Sequence, residues 1–198
     1  MEVTLEKVYP VSTPAAAAWR VLSDVRSVAQ CMPGAEITEQ IDANRYKGQV
    51  KVRIGPATAA FDGEIEVLAL DPAQMAMSLR GKGSDVKGAS AAIMDLSAYI
   101  RPVSEGACEL VGTSTISVTG KLANFGGRMM TQVSDQILKQ FADNFRMRAL
   151  AAGEDAAAQE ASTKVVAQPR ELNALGIFFR VLWNFMKGLF RRSTAKSQ

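Results

Sequence analysis

The sequence contains no histidine among its 198 residues. Imidazole general-base catalysis, serine triads that use histidine, histidine-bound zinc and the two-histidine iron site are therefore excluded. Only two cysteines, Cys31 and Cys108, are present, and they form no C-x-x-C pair. We expect both to be reduced, buried thiols in a cytoplasmic protein. These absences argue against an enzyme of the common acid-base types, and no metal site is predicted.

Other features that the sequence lacks bear on location and partners. The segment from Glu2 to Lys7 has no apolar run, so we expect no signal peptide. The net charge is only +3. Residues 170–198 hold six basic residues against Glu171 alone, a net charge of +5, so residues 1–169 carry −2. The absence of a clustered basic face in residues 1–169, here called the body, argues against nucleic acid as a partner. The 47% hydrophobic and 22% charged residues are typical of a soluble globular domain.

Most of the first 120 residues alternate between apolar and polar side chains. This period of two is typical of strands with one buried face. The pattern predicts an antiparallel sheet of seven strands, at 3–11, 36–41, 45–54, 58–70, 74–82, 89–101 and 108–118. The segment from Gly81 to Gly88 resembles no phosphate-binding loop, and we interpret it as a mobile connection able to gate a cavity.

The sequence predicts two short helices after the first strand and one long helix after the last strand. Thr13 is predicted to cap a helix that begins at Pro14, and Asp24 to cap a second short helix that ends near Met32. From Lys121 to Leu150 apolar residues recur every three or four positions, which predicts one long amphipathic helix laid across the sheet.

The order β, α, α, six β, long α resembles the START-like (SRPBCC, helix-grip) superfamily, an α+β fold whose seven-stranded antiparallel sheet wraps around a long C-terminal helix. Within it the motifs resemble the CoxG family of carbon monoxide dehydrogenase subunits over residues 1–150. The residues that carry this resemblance are Pro14 and Trp19, Cys31-Met32-Pro33-Gly34, Val50-Lys51-Val52-Arg53-Ile54-Gly55-Pro56, Phe61 and Gly63, and Gly120-Lys121-Leu122-Ala123 with Gly126 and Arg128.

The resemblance implies a non-catalytic protein whose sheet and helix enclose an apolar cavity. Members of the family accompany the molybdenum-containing CO dehydrogenase and related hydroxylases, and are implicated in membrane attachment and in quinone handling. The ligand it implies is a respiratory quinone, menaquinone or ubiquinone, with no covalent cofactor. The candidate cavity residues are Val50, Val52, Ile54, Phe61, Ile65, Met75, Met77, Leu79, Met94, Leu96, Phe125, Met129, Val133 and Ile137.

The composition changes after the long helix. We predict a ligand-binding domain at 1–152, a flexible linker at 153–170, an amphipathic helix at 171–192 and a disordered tail at 193–198. The helix combines a wide apolar face with a basic stripe, which favours a membrane interface over a spanning helix or one docked on protein. Its membrane-binding residues are predicted to be Leu175, Phe178, Phe179, Leu182, Trp183, Phe185, Met186, Phe190, Arg191 and Arg192.

Body and tail together suggest a peripheral protein on the cytoplasmic side of the cell membrane. The hypothesis is a carrier in electron transport that exchanges a quinone between the membrane and a molybdenum CO dehydrogenase or related hydroxylase and recruits that enzyme. Two alternatives stay open at this point, a pure membrane anchor and an assembly factor for the enzyme. A cyclase-type enzyme is disfavoured by the missing histidines.

Overall fold

The structure is a computed structural model that describes residues 1–54 and 57–167, with side chains described for 1–51, 58–124 and 126–156. The chain divides into two compact units, Met1–Ala158 and Gln159–Gln198. The first unit holds the whole sheet. Of the second unit, the structure describes only the end of one helix.

Seven strands form a single antiparallel sheet in the order β1-β7-β6-β5-β4-β3-β2. Neighbours in sequence are neighbours in the sheet, except that β1 closes against β7. The elements are β1 (Glu2–Val11), α1 (Ala15–Leu22), α2 (Val25–Cys31), β2 (Ala35–Gln40), β3 (Arg45–Ile54), β4 (Ala57–Asp71), β5 (Ala76–Asp85), β6 (Ser90–Ser104), β7 (Ala107–Gly120), a 3-10 helix (Lys121–Phe125) and α3 (Gly127–Ala167). The predicted fold class is confirmed.

The alternation in the sequence sets the two faces of the sheet. Along β7 the even-numbered residues from Cys108 to Val118 include the buried ones, and Thr113, between two of them, is exposed. Successive side chains of a strand point to opposite faces, so one face of the sheet is turned inward. We call this the concave face. It is the face that α1, α2 and α3 cover.

The starts of the two short helices differ in how they are capped. Asp24 accepts hydrogen bonds from the backbone amides of Arg26 and Ser27, which confirms the predicted cap of α2. Thr13 does not cap α1, because its hydroxyl is buried and donates instead to the carbonyl oxygen of Ala149 at 3.5 Å. The predicted role of Thr13 was therefore wrong, since a contact with α3 takes the side chain away from the helix start.

The predicted mobile connection from Gly81 to Gly88 is also wrong. Strand β5 continues to Asp85 and pairs with both β4 and β6 through this segment. Only the short turn before Ser90 lies outside the strands. Gly81 and Gly83 occupy inward positions of a central strand, where glycine marks a bend or a close approach of backbones rather than a loop.

The long helix starts later and ends later than predicted. A 3-10 helix occupies Lys121–Phe125, and Gly126 separates it from α3 with a φ of 76°, a left-handed conformation that glycine adopts without a steric penalty. At the other end α3 continues to Ala167, so the residues of the predicted flexible linker up to that point are helical. The alanine- and glutamate-rich sequence has high helix propensity, which accounts for the extension.

The core lies at the end of the sheet that α1 and α2 cover. Its most completely buried large side chains are Phe145, Leu22, Val11, Cys31 and Cys108. Both cysteines are free and buried, as predicted, and burial raises the pKa of each thiol above its ordinary value. Thiolates at these positions are disfavoured, so the cysteines act as small apolar core residues.

Candidate functional site

Helix α3 meets the rest of the domain differently along its length. The part from 141 to 153, here called the closed segment, contains Phe145 and Ala149, both 0% exposed. Polar side chains fix it as well. Asn144 donates to the carbonyl oxygen of Cys31 at 2.9 Å, and Arg146 donates to that of Pro10 at 2.8 Å. The closed segment is therefore held by the core and by hydrogen bonds on two sides.

The contacts with β1 give the direction of α3. Asp135 lies beside Lys7, Arg146 reaches Pro10, and the carbonyl of Ala149 meets Thr13. The helix thus runs in the same direction as β1. The residues of α3 before Asp135 must lie above the part of the sheet that holds the start of β1 and the end of β7, away from the core.

The part of α3 from 127 to 140, here called the open segment, is amphipathic but incompletely buried. Its apolar side chains are only half-buried and do not belong to the cluster of buried core residues. The concave face at this end carries half-buried apolar side chains too. These residues include Met129, Met130, Val133, Ile137 and Leu138 on α3, and Val50, Phe61, Ala92 and Ile116 on the sheet.

Small residues form a row across the concave face at this same end. Gly48 pairs with Gly63, Gly63 with Gly83, and Gly83 with Ala92. A side chain at Gly63 would collide with the backbone oxygen of Lys82, so the close approach of β4 and β5 requires glycine there. The row places no large side chain over this part of the concave face. Two apolar surfaces that leave each other partly uncovered suit a cleft for an apolar ligand.

One ion pair joins the open segment to strand β1. Lys7 Nζ lies 2.9 Å from Asp135 Oδ1, and both side chains remain partly exposed. The hydrogen bond to the Asp135 carboxylate raises the pKa of Lys7 above its ordinary value. Since Lys7 belongs to the edge strand β1, this pair ties the edge of the sheet to the middle of the helix.

A buried hydroxyl lies on the concave face nearby. Ser114 is 7% exposed, and its hydroxyl has no hydrogen-bond partner among the described residues. It pairs with Leu5 on one side and Leu96 on the other, and so lies one step along β7 from Ile116. A buried hydroxyl without a partner is uncommon in a folded protein.

The predicted cavity residues fall into three groups in the structure. Met77 and Leu79 are almost fully buried in the core. Ile65, Met75, Met94 and Leu96 are half-buried and pack against it, with Met75 in the turn before β5 rather than in the strand. Five residues stand around the open segment, and their role in binding stays a prediction: Val50, Phe61, Met129, Val133 and Ile137.

Other predicted residues lie outside what the structure describes. The side chains of Val52, Ile54 and Phe125 are not described, although their backbones lie in β3 and the 3-10 helix. The predicted amphipathic helix at 171–192 and the tail at 193–198 also fall outside the described residues. The domain limits and the membrane-binding residues therefore stay predictions.

Neither a metal site nor a membrane-spanning helix is found in the described part of the chain. No group of three histidine, cysteine, aspartate or glutamate side chains is placed to hold a metal ion within residues 1–54 and 57–167. None of the helices described there combines the length and hydrophobicity needed to cross a membrane.

Sequence reasoning missed Ser114 and the glycine row. The signal for Ser114 was present, because a hydroxyl stands in the apolar register of the strand predicted at 108–118. The row of Gly48, Gly63 and Gly83 depends on the pairing register of three strands. That register cannot be read from one strand at a time.

Solved structures support the fold. A conserved protein from Geobacillus kaustophilus superposes with a TM-score of 0.69 at 20% identity, over 76% of this chain and 97% of that one. An aromatase/cyclase, Zhui, from Streptomyces sp. R1128 gives 0.56 at 17% identity, over 75% and 94%. A START superfamily protein from Mycobacterium smegmatis gives 0.53 at 15% identity, over 75% and 97%. At these identities the likeness concerns the fold alone.

Sequence comparison supplies the family. A comparison with curated proteins finds no match. The family model for CoxG, a subunit of carbon monoxide dehydrogenase, matches residues 9–150, which include nearly all of the sheet, the open segment and most of the closed segment. With a match over more than half of its length, and with the START-like fold found in the structure, the chain belongs to the CoxG family of carbon monoxide dehydrogenase subunits.

Proposed function

We propose that this protein is a membrane-tethered carrier that binds a respiratory quinone between the open segment and the concave face. It exchanges the quinone between the cytoplasmic membrane and a molybdenum-containing CO dehydrogenase or related hydroxylase, and it recruits that enzyme. The observation that carries the proposal is the pair of facing apolar surfaces that stay half-buried. Covering apolar area gains about 25 cal/mol per Å², so an apolar ligand that fills the cleft is stabilised there.

Membership of the CoxG family supports the proposed partner and restricts the class of ligand. Its description names a subunit of carbon monoxide dehydrogenase, which supports that enzyme as the partner. A subunit that accompanies a redox enzyme and offers an apolar cleft suits a lipid-soluble electron carrier, menaquinone or ubiquinone, better than a structural lipid. The ligand is held without a covalent bond.

We propose binding without catalysis. One protein of similar fold is an aromatase/cyclase, so the fold is compatible with an enzyme. This chain, however, has no histidine, and the half-buried apolar residues around the open segment are aliphatic, methionine or phenylalanine. Such side chains supply no group for proton transfer. The protein therefore transports its ligand unchanged.

The membrane tether is proposed from the sequence of residues 171–192. Its aromatic and aliphatic side chains cover a wide face, and Arg191 and Arg192 follow at its end. An apolar face of this kind binds the interface, while basic residues add roughly 1 kcal/mol each on an anionic leaflet. The protein would then sit peripherally on the cytoplasmic side of the membrane.

The ligand is tested by lipid extraction and mass spectrometry of the full-length protein purified from its native host. Wild type should contain quinone. Met129→Arg places a charge in the apolar cleft and should abolish quinone binding, because burying an unpaired charge is costly. Gln132→Arg adds the same charge at an exposed position of α3 and serves as the matched control. It should retain wild-type quinone content.

Other results would redirect the proposal. Equal quinone content in Met129→Arg and wild type would reject the cleft as the binding site. A wild type that carries no quinone, yet binds membrane and enzyme, would instead identify a pure anchor or an assembly factor.

The tether is tested by vesicle flotation. The full chain should bind vesicles even at high salt, and more tightly when they contain anionic lipid. A chain that ends at Ala167 keeps the whole of α3 and should not bind. Replacing Phe179, Trp183 and Phe190 with serine should release the full chain, whereas neutralising Arg191 and Arg192 should only weaken it. Binding of the shortened chain would place the membrane contact on the folded domain.

The shortened chain also tests the partner. If the folded domain carries the docking site, the chain ending at Ala167 should still bind the CO dehydrogenase in a pull-down. Loss of that complex, with the domain still folded by circular dichroism, would move the docking site to residues 168–198.

A further inference from the structure

We propose that the hydroxyl of Ser114 is the hydrogen-bonding group that holds the polar ring of the quinone in the cleft. The inference rests on the proposed function and adds to it a recognition residue. Ser114 is 7% exposed, and its hydroxyl has no partner among the described residues. Leaving a buried hydroxyl unpaired is unfavourable, so a ligand that pairs with it is favoured over one that does not.

The strand register places Ser114 on the face of the sheet that α3 covers. It belongs to the inward register of β7, between Gly112 and Ile116. Its neighbours across the sheet are Leu5 and Leu96, so neither adjacent strand offers a polar side chain at this level. Lys7, the nearest inward polar residue on β1, is already paired with Asp135.

The direction of α3 places the open segment over this part of the sheet. Asp135 contacts Lys7, whose partner on β7 is Gly112. The residues of α3 that precede Asp135 extend from there toward the levels of Ser114 and Ile116. The glycine row lies further along the sheet in the same direction, because Ala92, which pairs with Gly83, also pairs with Val118, two residues after Ile116. Ser114 therefore lies at the inner end of the cleft, between the half-buried apolar residues and the core.

The chemistry of a serine hydroxyl suits a quinone in both of its redox forms. A hydroxyl has one donor hydrogen and two acceptor lone pairs. It can donate to the carbonyl oxygen of the oxidised ring, and it can accept from the hydroxyl of the reduced ring. The isoprenoid tail, which is apolar, requires only the aliphatic and methionine side chains. The hydroxyl of Ser114 can therefore hydrogen-bond to the oxidised and to the reduced form of the quinone.

The experiment compares two ligands that differ only in their oxygens. A short-tailed menaquinone and the hydrocarbon analogue with hydrogen in place of both carbonyl oxygens are titrated into delipidated full-length protein by calorimetry. Ser114→Ala should weaken menaquinone binding about three- to tenfold, where tenfold corresponds to about 1.4 kcal/mol. Binding of the hydrocarbon should not weaken. The reduced menaquinone should lose affinity by a similar factor.

Thr113→Ala is the matched control, since Thr113 is exposed on the opposite face of the same strand. It should leave both affinities unchanged. The thermal midpoint of ligand-free Ser114→Ala should not fall below that of wild type, because alanine leaves no unpaired hydroxyl. This measurement excludes misfolding as the cause of weaker binding.

The outcomes separate the two proposals. If wild type binds menaquinone and Ser114→Ala binds it equally well, the role of Ser114 is rejected and the carrier function stands. An equal loss for menaquinone and hydrocarbon would also reject it, because the residue would then act through packing. If wild type binds the hydrocarbon alone, or neither ligand, the quinone proposal fails and the role of Ser114 fails with it.

Discussion

The closed and open segments of α3 are successive parts of one helix, yet they contribute differently to the domain. In the closed segment Phe141 and Phe145 lie with ring centroids 6.1 Å apart, and Phe145 is fully buried. In the open segment Met129 and Val133 are half-buried and lie outside the core cluster. Stability thus resides mainly in one segment, which leaves the other able to bind a ligand without being needed for folding.

The sharpest test of this comparison removes one apolar side chain from each segment. Phe145→Ala should lower the free energy of unfolding by about 3–5 kcal/mol, because it leaves a cavity in the core. Val133→Ala should cost about 1 kcal/mol or less, since its side chain is only half-buried. Urea unfolding of the full chain, followed by circular dichroism, measures both. Similar losses in the two variants would contradict the division between the segments.

A second, smaller contrast uses one glycine from each segment. A methyl group at Gly153 would lie 2.6 Å from Thr13 Oγ1 and 3.7 Å from Ala17 Cβ, whereas one at Gly127 would meet nothing within 4 Å. Gly153→Ala should therefore destabilise the domain by about 1–3 kcal/mol through overpacking. Gly127→Ala should be neutral or slightly stabilising, since alanine favours helix. Thermal unfolding measures the two variants.

The clash with Thr13 can be tested on its own. Gly153→Ala should cost less when introduced into Thr13→Ala than into wild type, because the nearest atom is then gone. An equal cost in both backgrounds would show that Thr13 and Gly153 are not in contact as described.

The smallest expected effect concerns the ion pair between β1 and the open segment. Lys7→Met removes a partly exposed pair with Asp135 and should cost no more than about 1 kcal/mol. Because the folded state raises the pKa of Lys7, this stabilisation is complete below the unfolded pKa of about 10.4 and is lost as the pH rises through the folded pKa. The difference in stability between wild type and variant should therefore disappear once the pH exceeds the folded pKa of Lys7.

The same variant should affect the open segment more than the closed one. Hydrogen exchange should become faster for amides between residues 127 and 140 and stay unchanged between 141 and 153. Lys47→Met, which breaks a comparable exposed pair with Glu39 on strands β2 and β3, is the control. Lys47→Met should leave hydrogen exchange in α3 unchanged. If it also made exchange in α3 faster, the effect of Lys7→Met could not be attributed to the pair between Lys7 and Asp135.

The sheet could be predicted from the sequence because its signal is local. Alternating residues give the same strands in the sequence and in the structure, with ends that differ by up to three residues. The predictions failed where a distant contact decided the outcome. Thr13 resembles a helix cap until α3 supplies a carbonyl for it, and Gly81 resembles a loop until two neighbouring strands pair with its segment.

The candidate site was predictable only in part. The periodicity of α3 gave Met129, Val133 and Ile137 as inward residues, but it could not distinguish half-buried positions from core positions such as Phe145. That distinction depends on what lies opposite. The glycines and Ser114 on the facing sheet come from four strands, and their level relative to the helix is fixed by contacts with β1.

The pairing of β1 with β7 has a consequence for how the domain is made. Strands β2 to β7 pair with neighbours in sequence. In β1, by contrast, Leu5 can pair with Ser114 only after the ribosome has added more than a hundred further residues. Until then β1 is an unpaired strand, the kind of edge that promotes association between chains. Its outward residues include the charged Glu2 and Glu6 and the imino acid Pro10. These residues discourage pairing with a second nascent chain during the interval.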